Sequence, residues 1–203
     1  MGQPKILKGR LAVPAVAEPL FIISGPELVI AQCKAGVVGS FPSLNARGEG
    51  EFEKWLIQIT DALDTYNKAN PERPAAPYAV NQIVHKSNLR LEEDLALCVK
   101  YEVPIVITSL GARTDLNDAI HSYGGIVLHD IINNFFAKKA IAKGADGLIA
   151  VATGAGGHAG TLSPIALIQE IRDWFDGPLL LSGAIASVSY HNLTLPPTRI
   201  CVY

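Results

Sequence analysis

Short apolar runs return at near-regular intervals along the chain, and helical spacing follows each one. The runs cover residues 19–24, 37–43, 78–84, 104–111, 125–131, 147–154 and 178–185. A strand that is apolar along nearly its whole length is buried on both faces, as in a parallel sheet flanked by helices. Between the runs, Phe52, Trp55, Leu56, Ile59, Leu63 and Tyr66 share one helical face. So do Leu91, Leu95 and Val99, and then Ile165, Ile168, Ile171 and Trp174. Such stripes pack a helix onto a sheet. Repeated strand–helix units define an α/β chain. Two architectures compete, a closed barrel and an open doubly wound sheet. A (β/α)8 barrel takes about 250 residues, whereas this chain has 203 and shows seven strand-like runs. The rhythm stops near residue 186. Residues 187–203 have no helical stripe, and Pro196-Pro197 break any helix.

Composition narrows the classes. Hydrophobic residues make up 49% and charged residues 18%, which excludes a disordered or fibrous chain. The net charge of -2 and the lack of a basic run argue against nucleic acid as a partner. Cys33, Cys98 and Cys201 are far apart and form no CxxC pair, so neither a zinc site nor a disulfide framework is expected. Residues 1–10 lack the apolar core of a signal peptide, and Ile6 stands where a myristoylation signal wants Ser or Thr. No uncharged apolar stretch reaches about 18 residues. A cytoplasmic protein with reduced thiols is expected, and the sequon at Asn192 is expected to be unused.

Chemistry concentrates in residues 152–161, a Gly-rich turn between an apolar strand and a helix. Backbone N–H groups in such a turn approach an anion or a flat cofactor closely. Gly154, Gly156 and Ala159 match a loose dinucleotide fingerprint, but in the sixth unit rather than the first, and Leu180 and Leu181 occupy the strand where an acidic residue is wanted. The other reading is a barrel loop carrying a catalytic His158, since such enzymes keep their active sites on loops after the strands. Imidazole suits proton transfer near neutral pH. The loop at Ser182, Gly183 and Ala184 is either a phosphate-binding turn or an ordinary one. Asn81, inside a buried strand, needs a hydrogen-bond partner, which a cofactor or a neighbouring carbonyl would supply. His129-Asp130 poses the same question. His85, His121 and His191 have no supporting context.

These residues resemble a known family. Residues 7–11, 18–29, 35–42, 80–81 and 143–147, the turn 155–160 with Gly156-Gly157-His158, and Ser182-Gly183-Ala184 are similar to bacterial nitronate monooxygenases, formerly 2-nitropropane dioxygenases. The resemblance spans residues 7–186. It implies an α/β fold of the TIM (β/α)8 type, incomplete, with about seven strands and the eighth missing. Residues 1–186 would form an FMN-binding barrel domain, and residues 187–203 an atypical tail. It further implies oxidation of alkyl nitronates, and in some members nitroalkanes, with O2. Phe21, Ile22, Ile23 and Ser24 would lie along the flavin, and Asn81 would hydrogen-bond it. Gly156 and Gly157 would pass close to it, and Ser182, Gly183 and Ala184 would reach its phosphate. His158 would be the base. Two departures stand out. Asp130 replaces a basic residue common in the family, so a flavin contact there carries over weakly. The eighth strand, its phosphate turn and the later helices have no counterpart. A flavin-dependent enoyl-acyl carrier protein reductase, and a truncated product that binds no flavin, are the alternatives. Partners implied are a small nitronate or nitroalkane and O2, with no membrane, and self-association through open sheet edges.

Overall fold

A computed structural model describes residues 4–157 and 160–183, and the backbone of 200–202. Eight strands form one parallel sheet: β1 (Ala15–Val16), β2 (Gly39–Pro42), β3 (Tyr78–Ile83), β4 (Ile105–Ser109), β5 (Ile126–Ile131), β6 (Gly147–Val151), β7 (Leu179–Ser182) and β8 (Ile200–Val202). Six α-helices alternate with the first strands: α1 (Pro26–Lys34), α2 (Glu51–Ala69), α3 (Leu91–Lys100), α4 (Thr114–His121), α5 (Asn134–Ala142) and α6 (Pro164–Arg172). The sheet order is β1-β8-β7-β6-β5-β4-β3-β2, and a parallel bridge from Val16 to Val38 brings its two ends together. That closes a TIM-type barrel rather than an open sheet. It is an incomplete one. Among the described residues no helix follows β7, and the eighth position is held by three residues of the tail.

Two expectations change. Residues 19–24 are not the first strand. That strand is Ala15–Val16, and Phe21, Ile22 and Ile23 lie in a turn beyond it, 63–70% exposed. The edges of the seven-stranded arc are not left bare either. Ile200–Val202 pairs with β7 on one side and β1 on the other, and β1 exchanges Val38 N→Ala15 O and Ala17 N→Val38 O across the last gap.

Alternation along the strands sorts side chains into two layers. Val80, Val106, Val127, Ala150, Leu179 and Leu181 face outward against the helices, where Leu56, Ile59, Leu116, Ile120, Leu167 and Ile171 are buried. Val16, Val38, Ala79, Ile105, Ile107, Leu128, Ile149, Val151 and Leu180 face inward and fill the barrel. Ile6, Leu7 and Leu11 of the N-terminal segment pack on this inner cluster. They precede β1 and so stopper the end of the barrel where the strands begin. Cys33 and Cys98 are free and buried in the outer layer. Burial pushes both thiols up to about 12, so they stay protonated and inert. No helix among the described residues is long and apolar enough to cross a membrane.

Candidate functional site

At the ends of the strands the inner face changes character. Two residues beyond the apolar positions, in the same alternation phase, stand Glu18, Ser40, Asn81, Ser109, Asp130 and Ser182. They ring the mouth of the barrel, the end where the strand-to-helix loops gather and where this fold carries its active sites.

The ring is hydrogen-bonded in separate stretches. The Asn81 amide donates to Ile107 O at 3.1 Å and to Ser109 Oγ at 2.7 Å. Ser109 in turn donates to Asp130 Oδ2 at 2.5 Å. Ser182 donates to Glu18 Oε2 at 3.1 Å, and Ser40 donates to Ala17 O. Asn81 thus finds the partners its burial required, and its Oδ1 remains as the acceptor of that amide. Burial pushes the Asp130 carboxyl up to about 7; the Ser109 hydroxyl partly opposes this and the Glu18 charge adds to it. Glu18 is also raised by burial, with the Ser182 hydroxyl acting against it.

Two loops overhang the ring. Residues 20–24 are pinned by Asn45, whose Oδ1 accepts from Ile22 N and whose Nδ2 donates to Leu20 O and Ser24 O. Ile22 is forced to φ +68°. Ser24 is buried and its hydroxyl accepts from Leu20 N, while Phe21, Ile22 and Ile23 turn apolar surface to solvent, with Arg47 over the Phe21 ring. The second loop follows β6. Thr153 N→Leu162 O and Gly160 N→Val151 O tie its base, and Ala155 packs on the inner cluster. Gly156 and Gly157 have open space where a Cβ would stand. Gly183, at φ +143°, is different: a Cβ there would sit 2.9 Å from Thr153 O, so the turn after β7 needs glycine to pass under this loop.

Of the residues singled out from sequence, Ser24, Asn81, Asp130, Gly156, Gly157, Ser182 and Gly183 thus gather at one end of the barrel, under the exposed Phe21, Ile22 and Ile23. His158 and Ala184 lie outside the described residues. His129 faces outward. Its Nδ1 meets Thr108 Oγ1 at 2.6 Å, and burial lowers its pKa to about 4, so it is a neutral packing residue. His85 and His121 make local contacts, with Ser87 and Asp146. Glu18, Ser40 and Ser109 were missed. Their signal was phase: each lies two residues past an inward apolar residue, Val16, Val38 and Ile107.

No protein-family model and no curated protein matches the chain. Solved structures do. Nitroalkane oxidase from Streptomyces ansochromogenes superposes with a TM-score of 0.82 at 18% identity, over 98% of this chain and 66% of that one. FabK from Thermotoga maritima gives a TM-score of 0.81 at 20% identity, over 97% of this chain and 58% of that one. The fold is therefore that of these proteins, and the chain spans 58–66% of their length.

Proposed function

We propose that the mouth binds FMN and that the chain belongs to the chemistry of nitronate and nitroalkane oxidation with O2. The observation that carries this reading is the open ground at Gly156-Gly157 over a polar ring, in a barrel shaped like a nitroalkane oxidase. The residues present fit a flat, polar-edged cofactor. Two glycines without steric neighbours leave room for a ring system, and the apolar Phe21, Ile22 and Ile23 offer it a cover. Asn81 Oδ1 supplies an acceptor for a ring N–H. The phosphate fit is narrower than sequence implied. The Ser182 hydroxyl already donates to Glu18, so Gly183 and Ala184 would serve the phosphate through backbone N–H groups. Bound there, FMN would supply the electron transfer between substrate and oxygen. The protein's part is placement and proton handling. His158, on the β6–α6 loop, is the base that takes the α-proton of a nitroalkane or holds the nitronate.

The test is visible absorbance of the purified chain after incubation with FMN and removal of free ligand. Flavin bands that travel with the protein, followed by nitronate-dependent O2 uptake, support the reading. His158→Asn should then lower kcat/KM by about 10²–10⁴-fold. NADH oxidation coupled to reduction of a crotonyl thioester would replace it with the enoyl-acyl carrier protein reductase reading, which the FabK likeness keeps in view. A colourless chain of the correct mass would show a product that has lost the cofactor.

A further inference from the structure

Asp130 stands on the inward side of β5, two residues past Leu128, and is half-buried at the mouth. One of its oxygens is fixed by a relay. Ile107 O anchors the Asn81 amide at 3.1 Å, that amide donates to Ser109 Oγ at 2.7 Å, and Ser109 donates to Asp130 Oδ2 at 2.5 Å. Asn81 and Ser109 are both buried, so the carboxylate is held in one orientation. Its other oxygen, Oδ1, takes no hydrogen bond from any described residue. Beside it, Ile149, which pairs with Asp130 across the ladder, and Val151 make an apolar wall. The β6–α6 loop stands over the same sector, since Gly160, where the loop returns, lies against Val151 O and Ile132. The elements packed on β5 are β4, β6, α4 and α5. β4 presents Ser109, and β6 presents Ile149 and Val151. The charged groups of the two helices, Asp115, Asp118, His121, Lys138 and Lys139, are exposed on the outer side, and His129 faces outward. Glu18, at the seam, is the other acid whose charge acts on Asp130, and it disfavours ionisation.

We propose that Asp130 is a catalytic base of the mouth, whose Oδ1 removes the α-proton of a neutral nitroalkane lying with its alkyl group against Ile149 and Val151. The C–H bond breaks and an O–H bond forms on Oδ1. The C–H electron pair becomes the C=N bond of the nitronate, and an N=O pair moves onto oxygen. Nothing is oxidised in this step. The negative charge passes from the carboxylate to the nitronate, so the acid and the anion that result do not repel one another. Burial, which lifts the carboxyl to about 7, makes it a stronger base than an ordinary carboxylate while leaving it substantially ionised in neutral solution. The proposal rests on the nitroalkane reading above, and of the two tasks named there for His158 it leaves the second, holding the nitronate.

The experiment follows exchange of the α-hydrogens of nitroethane for deuterium by proton NMR, with the full chain as purified, in D2O under argon. Wild type should exchange them faster than buffer alone, at a rate that rises with pH and levels off above a midpoint near 7. D130N, isosteric but not basic, should lose about 10²-fold or more of that rate. S109A removes the donor that favours the charged carboxylate, so it should move the midpoint upward. Wild type no faster than buffer, or D130N as fast as wild type, overturns the base. A midpoint that S109A leaves in place or lowers overturns its assignment to Asp130. Should D130N fail to fold, the temperature dependence of the wild-type midpoint decides. A carboxyl midpoint barely moves on warming, whereas an imidazole midpoint falls, and a falling midpoint overturns the proposal. The exchange needs neither flavin nor oxygen. Exchange without FMN uptake would sink the proposed function and keep the base; nitronate-dependent O2 uptake without exchange would sink the base alone.

Discussion

The arc from β2 to β7 and the seam at β1 and β8 are the same sheet built to different standards. In the arc, strands run four to six residues and helices α1 to α6 cover them. At the seam, β1 has two residues and β8 three. Ladder hydrogen bonds and buried area both scale with length, so the arc carries the stability and the seam mainly closes the ring. The polar layer straddles both. Asn81, Ser109 and Asp130 belong to the arc, Glu18 to the seam, and Ser182 joins them. The chemistry of the mouth therefore depends on the weaker part being in place.

The comparison can be broken or sharpened by experiment. Ile107→Ala empties a fully buried inward position in the middle of the arc. It should cost about 2–5 kcal/mol in urea unfolding, and a smaller loss would mean that the arc is not the structural backbone. Next comes pH. Asp130 titrates near 7 in the fold against the ordinary carboxylate range when unfolded. The stability it confers is complete below about pH 4 and is lost as pH rises through about 7, on the order of 2–4 kcal/mol. Thermal melts of wild type against D130N at pH 5 and 8 read this directly; D130N should lack the loss. Gly111→Ala would place a Cβ 2.3 Å from Val84 O at the exit of β4. It should cost about 1–3 kcal/mol by forcing the backbone apart. Val16→Ala, the seam counterpart of Ile107→Ala, should cost about 1.5 kcal/mol, and a loss as large as that of the arc variant would erase the distinction. Asn45→Ala should cost about 1 kcal/mol, yet free residues 20–24, read as faster amide exchange confined to that loop.

The arc was legible in the sequence because its strands are long enough to show a pattern. The runs at 78–84, 104–111, 125–131 and 147–154 contain β3 to β6, and the stripe Phe52 to Tyr66 is α2. In α3 the period was right but the face was turned: Asp94 and Cys98 are buried, Leu95 and Val99 only partly. Asp94 accepts from Arg90, which lets a carboxylate sit inside. The seam was not legible. Two residues of strand carry no period. The apolar run 19–24 imitated a strand because its hydrophobicity serves an exposed loop, held by Asn45 from a distant turn. At the mouth, Asn81 and the Gly-rich loop stood out as anomalies within apolar or regular surroundings. Glu18 and Ser109 did not, because a polar residue at a strand end is ordinary until the barrel's phase shows which way it points.

Among the described residues, the packing of Ile6, Leu7 and Leu11 on the inner cluster covers the end of the barrel where the strands begin and leaves the mouth as the way in. Whatever enters at the mouth must leave by the same door, past Phe21 and the Gly156-Gly157 loop.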